Sequence, residues 1–182
     1  MKKAILFILI SVLTVSISRA QKAAYSKGDN LLNVGIGLNS YYSGGIPFGA
    51  SYEKGITDVI SAGVNFDYLS NTYFATKFTA IYFGVRGSYH LNEALKIDND
   101  NIDIYAGAGL GYRSFSWSNA YTNNSLGNSY GSGVYFGIFA GGKYYFSSNI
   151  GAFLELGATG STNARLGVAF KFWIRRINIS IV

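Results

Sequence analysis

Nine ionisable side chains fall at alternate positions of segments that read as β-strands, and they are the first candidates for chemistry. They are the carboxylates Glu53, Asp67, Asp103 and Glu155 and the cations Arg86, Arg113, Lys143, Arg165 and Lys171. Because an unpaired charge away from water is very costly, charges on one face of a closed sheet must pair. They predict a structural ion-pair network inside a barrel. The alternative is a charged constriction that selects small solutes or ions.

His90 is the single histidine of the chain and its only ready general base near neutral pH. A lipid-modifying barrel enzyme would combine such a histidine with Ser or Asp partners. However, His90 ends a segment that descends to the inner rim of the predicted barrel, whereas chemistry on the outer leaflet needs the other rim. We therefore interpret His90 as an interfacial or capping residue. With one histidine and no cysteine in the chain, we predict no metal site. We also predict no cofactor and no enzymatic activity.

A glycine-rich run, Ala106–Gly111, superficially suggests a dinucleotide-binding loop. It lies within a strand pattern and does not open a helix, so it lacks the geometry that cradles a phosphate. We expect its alternating glycines to make room for neighbouring Arg and Tyr side chains in the interior.

The first twenty residues have the anatomy of a secretory signal peptide. Lys2 and Lys3 precede the apolar run 4–15, and Ser18 and Ala20 place small residues at a cleavage site. The chain has a net charge of +6, but three of its 15 basic residues lie in this segment. The mature part therefore has 12 basic and nine acidic residues, a net charge of +3. No basic stripe remains for binding nucleic acid.

The elements that position the charged residues are strands. Charged residues are only 13% of the chain and aromatic residues 16%, yet after residue 20 no apolar run approaches the ~20 residues of a membrane helix. Alternation with a period of two is clearest where Leu166, Val168, Phe170 and Phe172 share one face. The same rule predicts eight strands, at 30–39, 47–54, 58–68, 78–91, 102–115, 133–146, 150–157 and 164–173.

The connections between these strands alternate in character. Tight turns at Gly55–Thr57 and Ser147–Asn149 fit an inner rim. Asn92–Asn101 departs from this pattern, because it is a longer, charged turn on the same rim. Polar, longer loops at Ser40–Ile46, Leu69–Lys77, Ser116–Ser132 and Ala158–Asn163 fit an outer rim. The sequence thus predicts an all-β protein, a closed eight-stranded antiparallel up-and-down transmembrane β-barrel. Its parts are a signal peptide at 1–20, a lead-in at 21–29, the barrel at 30–173 and a tail at 174–182.

Several segments resemble those of small outer-membrane β-barrel proteins of Gram-negative bacteria. The chain is similar to the OmpA-transmembrane-domain and OmpX type, and especially to the porin-like "outer membrane beta-barrel" family common in Bacteroidetes. The segments that carry this resemblance are Tyr89–Asn92, Ile104–Tyr112, Gly141–Phe146, Glu155–Gly157 and Arg165–Phe172. The resemblance implies a location in the cell outer membrane, and we expect the protein to be a monomer. Its partners would be membrane lipid, lipopolysaccharide, the barrel-assembly machinery and an unknown extracellular partner.

The chain departs from this pattern at its C-terminus. Such barrels usually finish on an aromatic residue, whereas here Ile174 to Val182 follow Trp173. We expect a structural or surface-interaction role through the outer loops. A narrow pore is one alternative. A secreted, soluble, lipocalin-like barrel, with its apolar face turned inward around a ligand, is another.

Overall fold

Eight strands close into one antiparallel barrel in which every strand pairs with its neighbours in sequence and β8 pairs with β1. The computed structural model describes residues 24–42, 44–73, 76–117 and 131–173. The strands are β1 (Asn30–Gly37), β2 (Phe48–Gly55), β3 (Ile60–Tyr73), β4 (Thr76–His90), β5 (Ile102–Trp117), β6 (Gly133–Tyr145), β7 (Ile150–Gly157) and β8 (Ala164–Phe172). The predicted fold class is confirmed. The predicted signal peptide and tail lie outside the described residues.

The alternation of the sequence becomes the two faces of the barrel wall. On the outside, Leu32 lies beside Tyr52, and the same row continues through Val64, Val85 and Leu110. Val85 is 60% exposed, whereas its strand neighbour Arg86 is 4% exposed. The apolar face is therefore outside and the polar face inside, opposite to the lipocalin-like alternative. No helix among the described residues is long and apolar enough to cross a membrane.

The barrel wall has unequal height. Strands β3, β4 and β5 have 14, 15 and 16 residues, whereas β1, β2 and β7 have eight each. The predicted loop Leu69–Lys77 is wrong for most of its length, because β3 continues to Tyr73 and β4 already begins at Thr76. We call the upper parts of these three strands, residues 69–73, 76–80 and 113–117, the wing. The rim beside the wing is the upper rim, and the rim with Asn30 and Phe172 is the lower rim.

Candidate functional site

The centre of the barrel is occupied by one arginine held between two carboxylates. Arg86 Nε lies 3.0 Å from Glu53 Oε1, and Arg86 Nη2 donates to Glu155 Oε2 at 2.7 Å. The guanidinium also covers the ring of Phe139 at 3.9 Å. Strands β2, β4 and β7 each contribute one charge, so the cluster exists only in the closed barrel. We call these three charged residues the central triad.

Below the central triad, a second cluster forms around Asp103. Lys143 Nζ donates to Asp103 Oδ2 at 3.2 Å, and the imidazole Nδ1 of His90 lies 2.6 Å from Asp103 Oδ1. The other ring nitrogen, Nε2, lies 3.0 Å from Ser61 Oγ, which donates to Glu53 Oε2 at 2.8 Å. This chain of contacts connects the lower cluster to the central triad.

Above the central triad, part of an upper connection folds into the barrel. Asp67 pairs with Arg165 and accepts hydrogen bonds from the hydroxyl and the backbone N–H of Ser161. Thr159 Oγ1 donates to Glu155 Oε1 at 3.1 Å. Residues 159–162 are all buried. The predicted outer loop Ala158–Asn163 therefore does not extend from the rim and instead fills the upper interior.

The lower end of the barrel is covered by the lead-in to β1. The Tyr25 ring stacks on His90, with centroids 3.4 Å apart and planes 4° from parallel. Its hydroxyl lies 2.8 and 2.6 Å from the carbonyl oxygens of Thr57 and Ile60, which share its single proton. Burial, followed by the negative charge of Asp103, raises the pKa of Tyr25. Tyr25 therefore stays neutral and keeps donating at physiological pH.

An aromatic cluster lies on the inner side of the wing. Phe115 is 5.5 Å from Phe78 and 5.4 Å from Trp117, measured between ring centroids. Tyr42 of the β1–β2 connection packs against the same cluster, 5.4 Å from Phe115. Nearby, Arg113 donates through Nε and Nη2 to the carbonyl oxygen of Gly131.

The nine residues predicted to line the interior all occupy inward positions, and their surroundings differ. All are buried except Arg113, which is half-buried and bonds to backbone. Lys171 Nζ donates to the carbonyl oxygen of Ala24 at 3.0 Å and lies over the Tyr145 ring. The glycines of β5 do make room: Gly111 faces the Tyr135 ring.

His90 corrects the sequence interpretation. It is neither interfacial nor a cap, because it is 3% exposed and bonded on both ring nitrogens inside the barrel. The sequence does indicate an inward position for His90, since His90 lies on the same face of its strand as Arg86. The role of Tyr25 and of residues 159–162 was missed entirely.

Ser61, His90 and Asp103 have the contact order of a nucleophile, a base and an orienting carboxylate. Two observations argue against nucleophilic chemistry. Ser61 is fully buried, and its proton is directed to Glu53, not to His90. Within the described ranges, no group of three His, Cys, Asp or Glu side chains is placed to hold a metal ion.

Comparisons with known proteins give similarity through structure alone. No protein-family model and no curated protein sequence matches this chain. The N-terminal β-barrel domain of Pseudomonas aeruginosa OprF superimposes with a TM-score of 0.53 at 18% identity, over 80% of this chain and 98% of that one. Neisserial surface protein A gives 0.52 at 16% identity, over 79% and 94%. The fold is that of the small outer-membrane β-barrels. The resemblance inferred from the sequence motifs is confirmed for the fold of the barrel.

Proposed function

We propose that this chain is an integral outer-membrane protein that acts as a monomer through the surface it presents above the upper rim. Its environment would be membrane lipid and lipopolysaccharide. The apolar outer wall supports the first part, because residues such as Val85 and Phe136 are exposed as a lipid-facing band would be. The exposed surface above the upper rim would contact an extracellular partner of unknown identity.

The shape and polarity of the wing are the main support for a role at the cell surface. Its outward residues are polar and either half-buried or exposed, unlike the apolar wall below them: Ser70, Thr72, Lys77, Thr79, Ser114 and Ser116. At about 3.3 Å per residue, five additional residues extend a strand by roughly 16 Å. The wing would therefore stand in water beyond the hydrocarbon layer and be available for contact.

Transport is the less favoured function. The central triad, the Asp103 cluster and residues 159–162 occupy successive levels of the interior. Small barrels of eight strands are generally filled by their own side chains. Planar-bilayer recordings of the purified protein should show no steady conductance, and a reproducible open channel would restore the pore alternative.

The membrane topology can be tested by cysteine labelling, since the chain contains no cysteine. In intact cells, a membrane-impermeant maleimide should label Thr72→Cys on the wing. It should not label the lipid-facing Val85→Cys or Thr57→Cys at the lower rim. Labelling of Thr57→Cys alone would invert the topology, and recovery of the protein in the soluble fraction would overturn the membrane proposal.

The surface role needs a separate test. We would shorten the wing by replacing residues 70–77 with a two-residue turn. Cells that carry this variant should lose adhesion to a panel of immobilised glycans and matrix proteins. The comparison requires equal amounts of folded protein in the membrane. Unchanged adhesion at equal amounts would contradict a role for the wing.

A further inference from the structure

The lead-in to β1 is tied to the lower rim by contacts spread along its length. Lys171 Nζ donates to the carbonyl oxygen of Ala24, and Gly28 N donates to the carbonyl oxygen of Gly55 at 2.9 Å. Trp173 Nε1 donates to Asp29 Oδ1 at 2.5 Å. Tyr25 lies between these ties and is the only aromatic ring of residues 24–29. We call residues 24–29 the latch.

We propose that the latch closes the lower end of the barrel and that a doubly protonated His90 holds it shut. The argument begins with Asp103, which is an acceptor because Lys143 holds it as a carboxylate. A contact of 2.6 Å from His90 Nδ1 to this carboxylate requires that Nδ1 carry a proton. The first ring nitrogen is therefore a donor.

The protonation state of the second ring nitrogen follows from Ser61, which has a single proton to donate. Ser61 Oγ donates that proton to Glu53 Oε2 at 2.8 Å, and the other oxygen of Glu53, Oε1, lies 3.0 Å from Arg86 Nε. The Ser61 oxygen must then accept at its 3.0 Å contact with His90 Nε2. Nε2 also carries a proton, and the ring is an imidazolium cation.

The charges of the connected network agree with this assignment. Glu53, Glu155 and Asp103 supply three negative charges, whereas Arg86 and Lys143 supply two positive ones. A cationic His90 balances the network, which a buried cluster requires. The ionisable and polar groups that contact the imidazole from other elements are Tyr25, Ser61, Asp103 and Tyr105. Glu53 and Lys143 lie one contact further away, bonded to Ser61 and Asp103.

The cation acts on the latch through ring stacking. Tyr25 covers the imidazole face to face. An aromatic ring attracts a cationic imidazolium more strongly than it attracts a neutral imidazole. Loss of the His90 charge would therefore weaken the closed latch by about tenfold in its open–closed equilibrium. The latch would open while the barrel stays intact, because the strand ladders do not depend on it.

The protonation state can be read directly from the unmodified chain. We would purify the protein without a histidine tag, so that ¹⁵N-histidine labels one residue only. At neutral pH, both imidazole nitrogens should show the chemical shifts of an imidazolium cation with attached protons. One nitrogen with the shift of an unprotonated acceptor would overturn the proposal.

Opening of the latch can be measured with a cysteine at Ala24, which is 2% exposed. Ala24→Cys should react slowly with a water-soluble maleimide, and about tenfold faster when combined with His90→Gln. Ser88→Ala is the matched control, since it removes a buried hydroxyl two residues away that has no hydrogen-bond partner. Equal labelling rates in His90→Gln and the control would refute the role of the charge. If His90→Gln does not fold, the ¹⁵N measurement still decides the protonation state.

Discussion

Substitution of Arg86 by methionine is the most direct test of how the interior is stabilised. The change removes the cation shared by Glu53 and Glu155 and leaves two buried carboxylates facing each other. Removing one partner of a buried ion pair costs about 3–5 kcal/mol. Because two carboxylates lose their partner here, we expect a loss near or above 5 kcal/mol. That is comparable to the whole stability of many domains.

The assay is urea unfolding of the barrel in lipid vesicles, followed by tryptophan fluorescence. Lys54→Met, which removes an exposed cation, should change the free energy of unfolding by less than about 1 kcal/mol. The triple variant Arg86→Met, Glu53→Gln and Glu155→Gln should recover most of the loss, since neither carboxylate then remains as a buried charge without Arg86. A loss below about 1 kcal/mol in Arg86→Met would refute the reasoning. So would a triple variant as unstable as the single one, because the loss would then arise from packing over Phe139.

Three further predictions concern other parts of the molecule. A Cβ at Gly137 would lie 1.5 Å from the carbonyl oxygen of Ala158, whereas a Cβ at Gly133 would meet nothing within 4 Å. Gly137→Ala should therefore lower the yield of folded protein in a refolding experiment, and Gly133→Ala should leave that yield unchanged. A Cβ at Gly160 would lie 2.7 Å from Asp67 Cγ, so Gly160→Val should expel residues 159–162 and make them cleavable by added protease. Because the folded chain raises the pKa of Tyr25, its contribution to stability is complete below about pH 10 and falls at higher pH. Between about pH 10 and higher pH, the free energy of unfolding should fall less steeply in Tyr25→Phe than in the unmodified protein.

The sequence predicts the wall of the barrel well because lipid and lumen impose opposite demands on successive residues. The alternation of Leu166, Val168 and Phe170 with Arg165 and Lys171 allows only one face to turn inward, and that face is inward in the structure. A slip of one residue would turn every charge toward the apolar side. Parity therefore identifies inward residues without any knowledge of their partners.

The parts missed are those in which alternation carries no information. Residues 159–162 are small and polar, as a solvated loop would be, and only the closed barrel shows that Ser161 meets Asp67. The wing lacks apolar outward residues, so β3 was predicted to end near Tyr68. Tyr25 lies before the first strand, and nothing in its local sequence indicates the imidazole on which it stacks.

The central triad has a consequence for the order in which the chain folds. Glu53, Arg86 and Glu155 are far apart in sequence and meet only after the hairpins have assembled. The seam that closes the barrel joins β1 to β8, pairing Asn30 with Phe172. Until that seam closes, the inward charges need water, so a half-built sheet lying flat in hydrocarbon would be strongly unfavourable. The sheet must therefore curl with its polar side hydrated, and neutralisation of Arg86 by both carboxylates marks the correct register at closure.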